Sequence, residues 1–200
     1  MLDDAALDLL FREARTYRQF HPEAVSDAQL RAIYDLARMG PTSANCQPAR
    51  FVFLRSDEAK ARLIPHLDKG NVRKVEAAAV TAIVAHDLDF PAQVERLYPE
   101  DPRARNWFGG WLEGEARAAA VAEAALRNGS LQGAYFIIAA RALGLDCGPM
   151  SGFRNAQVDQ EFFPDGRWKS NFLINLGRGD PAQLKPRNPR LDFDEACRVL

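Results

Sequence analysis

The sequence predicts an α+β fold, with a small sheet among many helices. Three observations point there. The 200 residues include 32 alanines, and Leu112 to Leu143 holds no proline, a composition that favours long helix. Three short apolar runs, Phe51 to Leu54, Val80 to Ala85 and Phe172 to Leu176, are rich in β-branched and aromatic residues and read as buried strands. The resulting order is helix, helix, strand, helix, strand, long helices, helix, strand, helix. This is not the regular alternation of a doubly wound sheet.

Each element has its own signal. Leu7, Leu10, Phe11 and Ala14 fall at helical spacing and mark a first amphipathic helix. Ser26 with Gln29 forms a capping box for a second, whose stripe is Leu30, Ile33, Tyr34 and Ala37 and whose end is Gly40-Pro41. Asp57 opens a third helix that bends or ends near Pro65. Residues 88–110 carry three prolines and several aromatics and read as an irregular excursion or lid. The segment LQGAYFIIAARAL is apolar on nearly all sides and predicts a central buried helix, closed by Gly144 and Leu145 in a Schellman end. Asn155 is read as the cap of a short helix to Phe163, and Asp192 with Glu195 starts a C-terminal one. Three strands are few for so many helices, so a further edge strand is expected to come from elsewhere.

Composition excludes several classes. A net charge of −1 gives no broad basic face for nucleic acid or an anionic membrane. No apolar run approaches the length of a membrane span, and the acidic start MLDDAALDLLF is no secretory leader, so a cytoplasmic location is expected. Three cysteines without CxxC spacing read as reduced thiols. Length and the lack of a linker favour one domain over 1–200. P-loop, GxSxG and HExxH motifs are absent, and Gly177-Arg178-Gly179 runs into Asp180-Pro181 rather than a dinucleotide-binding helix. His21, His66 and His86 are scattered and suggest no metal site. With no obvious reactive set of side chains, catalysis would fall to a cofactor.

Three loops are denser in polar groups than a core needs. Ala14 to Phe20 offers Arg15, Thr16 and Arg18, two guanidinium forks and a hydroxyl suited to phosphate, although a solvated helix end would look the same. Gly40 to Phe51 carries Pro41, Thr42, Ser43, Asn45 and Gln47, which an ordinary turn-rich connection would also hold. Gly144 to Phe153 places Pro149, Met150 and Ser151 between Gly148 and Gly152, where backbone N–H groups could approach a flat ligand.

Together with GNVRK at 70–74, RNGSLQGAY at 127–135, KSNFLINLG at 169–177 and PRLDFDEAC at 189–197, these loops make the chain resemble the FMN-dependent nitroreductase family along nearly its whole length. GPTSANCQPAR with GPMSGF resembles the malonic semialdehyde reductase (3-hydroxypropanoate dehydrogenase) branch of pyrimidine degradation. The resemblance implies a nitroreductase-like fold with a small mixed sheet surrounded by helices, in a domain-intertwined homodimer with FMN at its interface. It implies that Arg15, Thr16 and Arg18 hold the flavin phosphate and pyrimidine edge, with Lys185 and Arg187 closing the phosphate clamp. Pro41, Thr42, Ser43 and Asn45 would reach the flavin from the partner subunit, and Asn71 would bond it through its amide. Pro149, Met150, Ser151 and Gly152 would lie against one flavin face, with the Ser151 N–H aimed at N5. Lys74 would meet the nicotinamide, and Trp107, Phe108 and Trp111, in the irregular stretch, are either core or interface anchors or walls of the pocket over the flavin. Ala49 replaces a tryptophan common in general nitroreductases, which favours a different substrate.

The implied reaction takes hydride from NADPH or NADH through the flavin to an aldehyde, with Arg18 or another site arginine as the anchor for a substrate carboxylate. No protein residue is singled out as catalytic, and no metal is expected. A general nitro- or quinone-reducing enzyme and a non-catalytic flavin-binding or interaction protein stay open beside it.

Overall fold

The computed structural model describes residues 1–200. Four strands form the sheet: β1 (Ala49–Leu54), β2 (Val80–Asp87), β3 (Asp146–Met150) and β4 (Trp168–Gly177). Their order is β1-β2-β4-β3, and every neighbouring pair is antiparallel. The mixed character expected of the sheet is confined to one parallel bridge, Thr16 to Cys147, on the outer side of β3. Eight α-helices surround the sheet: α1 (Asp4–Leu7), α2 (Asp27–Ala37), α3 (Asp57–Leu63), α4 (Lys69–Ala77), α5 (Pro91–Leu97), α6 (Gly114–Ala142), α7 (Asn155–Phe162) and α8 (Phe193–Ala196).

The apolar runs explain the layering. Every residue of β2 is buried, as a central strand covered on both faces requires. On one face Val80, Ala82, Val84, Ile174 and Leu176 meet Leu30 and Ile33 of α2 and Phe136, Ala139 and Ala140 of α6. On the other, Ile83, Ala85 and Leu173 meet Leu63, Val75 and Val158. Gly133 lets α6 lie close on the sheet, since a Cβ there would sit 2.5 Å from Cζ of Phe172. At the far end of β2, Asp87 is fully buried. It accepts from Arg50 at 2.6 Å and from two nitrogens of Arg167 at 2.8 Å, tying the strand to its neighbours.

Several expectations are met in detail. Both halves of the Ser26–Gln29 capping box form, as do both halves of the Asp192–Glu195 box, although α8 then runs for only one turn. The Leu112–Leu143 segment is one 29-residue helix. It ends in a Schellman motif: Leu145 N–H donates to the Ala140 carbonyl, Gly144 N–H donates to that of Arg141, and Gly144 has φ +76°.

Other expectations are corrected. The first helix shortens to one α-turn followed by a π-turn at Asp8–Arg12, where Arg12 pairs with Asp4 and Asp8. The fourth strand comes from this chain's own Gly/Pro loop, not from elsewhere. Pro149 is tolerated there because β3 is an edge strand. Asn155 begins α7 but does not cap it; its amide donates to Ser170 instead. α6 is central but not buried all round, because only the face bearing Gly133, Phe136, Ala139 and Ala140 packs, leaving Leu131 and Tyr135 exposed. The 88–110 stretch folds into α5 and a 3-10 turn at Pro102–Trp107, closed on a small core of Phe90, Val94, Ala104, Phe108 and Ala125.

Candidate functional site

The sheet edge at β3 brings distant segments together. Thr16 bridges Cys147, and Tyr17 N–H donates to the Cys147 carbonyl at 3.0 Å. Gly148 makes this approach possible, since a Cβ there would strike the Tyr17 carbonyl oxygen. The chain leaving β4 runs beside the same segment. Phe20 bridges Gly179, and Asp180 N–H donates to the Gln19 carbonyl at 3.0 Å. The 181–190 stretch then folds back over residue 15. Arg15 donates to the Lys185 carbonyl, and Arg187 Nη2 donates to the carbonyls of Arg12 at 2.7 Å and Ala14 at 3.1 Å.

These segments border a solvent-open cavity of about 380 Å³. Arg15, Thr16, Arg18, Lys185 and Arg187 line it, joined by Arg141 from the end of α6 and by Arg190. That is six cationic side chains against one acid, Asp180. None of the six pairs with a carboxylate. The bonds that Arg15, Arg141, Arg187 and Arg190 make all go to backbone carbonyls, while Arg18 and Lys185 make no side-chain bond within the chain. Unneutralised cations held this close repel one another, so the arrangement favours binding of an anion.

A second cluster adjoins Arg18. Lys74 Nζ donates to Asn71 Oδ1 at 2.7 Å, and Asn71 Nδ2 donates to the Gly152 carbonyl at 2.8 Å. Burial, reinforced by the charge of Arg18, pushes the Lys74 ammonium below its ordinary value. The Ser151 and Gly152 amides donate to no acceptor in the protein, and Ser151 is exposed. Asp68 stands beside Gly152, close enough that a Cβ there would lie 2.8 Å from its Oδ2.

A family profile for the nitroreductases matches residues 11–178. A protein of Stenotrophomonas maltophilia with the provisional name NADH dehydrogenase/NAD(P)H nitroreductase is 58% identical over 198 residues, covering 99% of this chain and 97% of its own. A Caulobacter protein with the same provisional name is 53% identical over 199 residues, covering 100% and 98%. The chain belongs to the nitroreductase family. Among solved structures, a provisionally named nitroreductase from Exiguobacterium sibiricum in complex with FMN superposes with a TM-score of 0.85 at 22% identity, over 100% of this chain and 98% of that one.

Not all the residues singled out in the sequence meet in one place. Pro41, Thr42, Ser43 and Asn45 lie outside the cation-lined cavity of their own chain. Their loop is fastened to α5 and α6: Asn45 Nδ2 donates to the Leu97 carbonyl at 2.8 Å, and its Oδ1 accepts from Gln47 at 2.7 Å. The Asn45 amide is therefore engaged within the chain. Phe108 is a core residue, edge-on to Phe90 at 4.8 Å. Trp107 and Trp111 are exposed. Ala49 is buried at the start of β1, away from the cations. Cys46 and Cys147 are buried thiols pushed by burial up to about 11 and about 12, which makes them unreactive.

Sequence reasoning missed Arg141, Arg190 and Asp68. In the sequence they are three ordinary charges among 53, and the fold alone gathers them. It also missed two buried amides on α6, Asn128 and Gln132. A polar residue on the buried stripe of an apolar helix was the signal that could have found them.

Proposed function

We propose that this protein is an NAD(P)H-dependent FMN oxidoreductase that reduces malonic semialdehyde to 3-hydroxypropanoate. The residues fit the cofactor. A phosphate monoester satisfies the unpaired cations of the cavity, whose volume lies in the range of small-molecule sites, roughly 300–1,000 Å³. Arg15, Thr16, Lys185 and Arg187 would hold the phosphate, with Arg141 and Arg190 adding charge. Asn71 and the free amides of Ser151 and Gly152 would serve the ring, beside Pro149 and Met150. When bound, FMN accepts hydride from a reduced nicotinamide and passes it to the substrate.

The chain's own groups orient and balance charge. Hydrogen bonds from Asn71 to Gly152 and from Lys74 to Asn71 fix the 149–152 segment as a rigid wall. The observation that carries the acid-aldehyde reading is the pairing of Arg18 with Lys74. These are two neighbouring cations beside the free amides, neither bonded to a carboxylate of this chain. A substrate carboxylate fits between them, and a nitroaromatic or a quinone has no use for them.

The functional unit in this reading is a homodimer of single-domain chains spanning 1–200. The placement of the 41–45 loop outside its own chain's cavity supports it, since the loop is then free to complete the partner's site. So do the exposed Leu36, Met39, Leu131 and Tyr135 on α2, its following turn and α6. No helix is long and apolar enough to cross a membrane.

The test is a steady-state comparison of malonic semialdehyde with a quinone and a nitroaromatic, using purified protein saturated with FMN. A specificity constant highest for the semialdehyde, with KM raised at least tenfold in Arg18→Ala, is the expected result. A quinone preferred by wild type, with an unchanged Arg18→Ala KM, would refute the substrate. A protein that acquires no flavin spectrum on adding FMN would refute the enzyme.

A further inference from the structure

Two amides on α6 hold the ends of a strained loop. Asn128 and Gln132 lie one helical turn apart, and each is only 4% exposed. Asn128 Oδ1 accepts the Ser43 N–H at 2.8 Å, and Gln132 Oε1 accepts the Ala49 N–H at 2.9 Å. Asn128 is itself fixed, because its Nδ2 donates to the Ala124 carbonyl at 2.9 Å.

Between these two anchor points the backbone enters the left-handed region three times, at Ala44 (φ +47°), Asn45 (φ +48°) and Gln47 (φ +40°). Residues with a Cβ avoid that region, alanine and glutamine more than asparagine. None of the three positions is a glycine, so the shape persists only where surrounding groups impose it. The loop's own bonds, Gln47 N–H to Thr42 Oγ1 at 3.3 Å and Gln47 Nε2 to Asn45 Oδ1 at 2.7 Å, close it internally but do not place it. Placement comes from α6 and, through Asn45, from α5. Gly129 and Gly133, each next in sequence to one of the amides, let this face of the helix lie close on the sheet, where a Cβ would come within 3.2 Å of His86 Cβ and 2.5 Å of Phe172 Cζ.

We propose that Asn128 and Gln132 are positioning residues, which hold residues 42–48 in the shape that completes the flavin site. The proposal rests on the reading of this loop as part of that site. Both amides bind main-chain N–H groups, so they fix loop geometry whatever side chains the loop presents.

The test compares apolar and acidic replacements in the full chain. Asn128→Leu and Gln132→Met remove the acceptor oxygen, whereas Asn128→Asp and Gln132→Glu keep one. Amide hydrogen exchange of residues 42–49, normalised to β2, is followed with FMN affinity by fluorescence titration. The expected result is exchange at Ser43 or Ala49 at least tenfold faster in the apolar variants, with FMN Kd raised at least tenfold. Acid replacements that retain protection and affinity would support the acceptor's role. Unchanged exchange in the apolar variants overturns the clamp. Faster exchange with an unchanged FMN Kd overturns the positioning role. A wild type that binds no FMN overturns the flavin reading itself, and the exchange comparison still reports separately on the clamp.

Discussion

Arg187→Ala should weaken FMN binding and leave riboflavin binding nearly unchanged. Arg187 spends one nitrogen, Nη2, on the carbonyls of Arg12 and Ala14. Its Nε and Nη1 have no acceptor in the chain and are available to a phosphate oxygen. A hydrogen bond between charged partners is worth about 1.5–3 kcal/mol. The cavity is open to solvent and holds other cations, so the lower part of that range applies, about 1.5–2.5 kcal/mol. At 1.4 kcal/mol per decade this is roughly a 10- to 70-fold rise in Kd. Titrating apoprotein with FMN and then with riboflavin, by flavin fluorescence at fixed ionic strength, measures both. Riboflavin lacks the phosphate, so its Kd should change by less than about twofold, a few tenths of a kcal/mol. An equal loss for both ligands would mean that the substitution only loosens the 181–190 segment. No loss for either would remove Arg187 from the site.

Gly148→Ala should push the Tyr17 backbone off β3 and displace Arg15 and Arg18, raising FMN Kd at least ~10-fold, whereas Gly70→Ala, where a Cβ meets nothing, should not. Burial alone would raise the Asp87 carboxyl, but bonds from Arg167 and the Asp89 amide and the charge of Arg50 outweigh it and hold it below the ordinary 3.8. Its stabilisation is complete above the unfolded value and is lost as pH falls through the lower folded one. Asp87→Ala should therefore cost about 3 kcal/mol at neutral pH in denaturant melts and should flatten the acid limb below pH ~4. Burial holds the His86 imidazole below its ordinary 6.5, with Asp159 opposing and Lys169 adding, and its buried Nδ1 has no partner. The unfolded chain then takes up the proton first, so stability falls as pH drops through 6.5 towards the lower folded value. His86→Leu should raise Tm by a few degrees and reduce the Tm difference between pH 7.5 and 5.5, as scanning calorimetry would show.

The parts of the fold legible in the sequence were those whose cause is local. Ser26 and Gln29 cap α2 by their own spacing, and Gly144-Leu145 ends α6 because only those two residues are needed. The apolar runs of β1, β2 and β4 announce burial by composition. β3 stayed hidden because its residues, DCGPM, hold no β-branched or aromatic side chain; pairing with β4 makes it a strand. α4 stayed hidden because Asn71 occupies part of its buried stripe. For the candidate site, Arg15 and Arg18 stood out as a dense polar loop, but Lys185 and Arg187 were legible only through the family resemblance, since the two segments lie 170 residues apart. Arg141 and Arg190 had no such guide. For Phe108 both a core and a pocket wall stayed open, because an aromatic in an irregular stretch looks the same whether it faces a ligand or a small core of its own.

The six cations of one small cavity also bear on how the protein folds. Bringing residues 15–18 against 185–190 closes a very long loop, and contacts so distant in sequence form late. Their mutual repulsion makes this corner costlier to assemble in the empty molecule and easier to open. An anion that binds only the assembled corner reverses that balance. At 100 times its Kd it adds about 2.7 kcal/mol to the native state. In the cell, the supply of the phosphorylated ligand would then set the lifetime of the folded chain, and a shortage would register as turnover of the protein before it registered as lost activity.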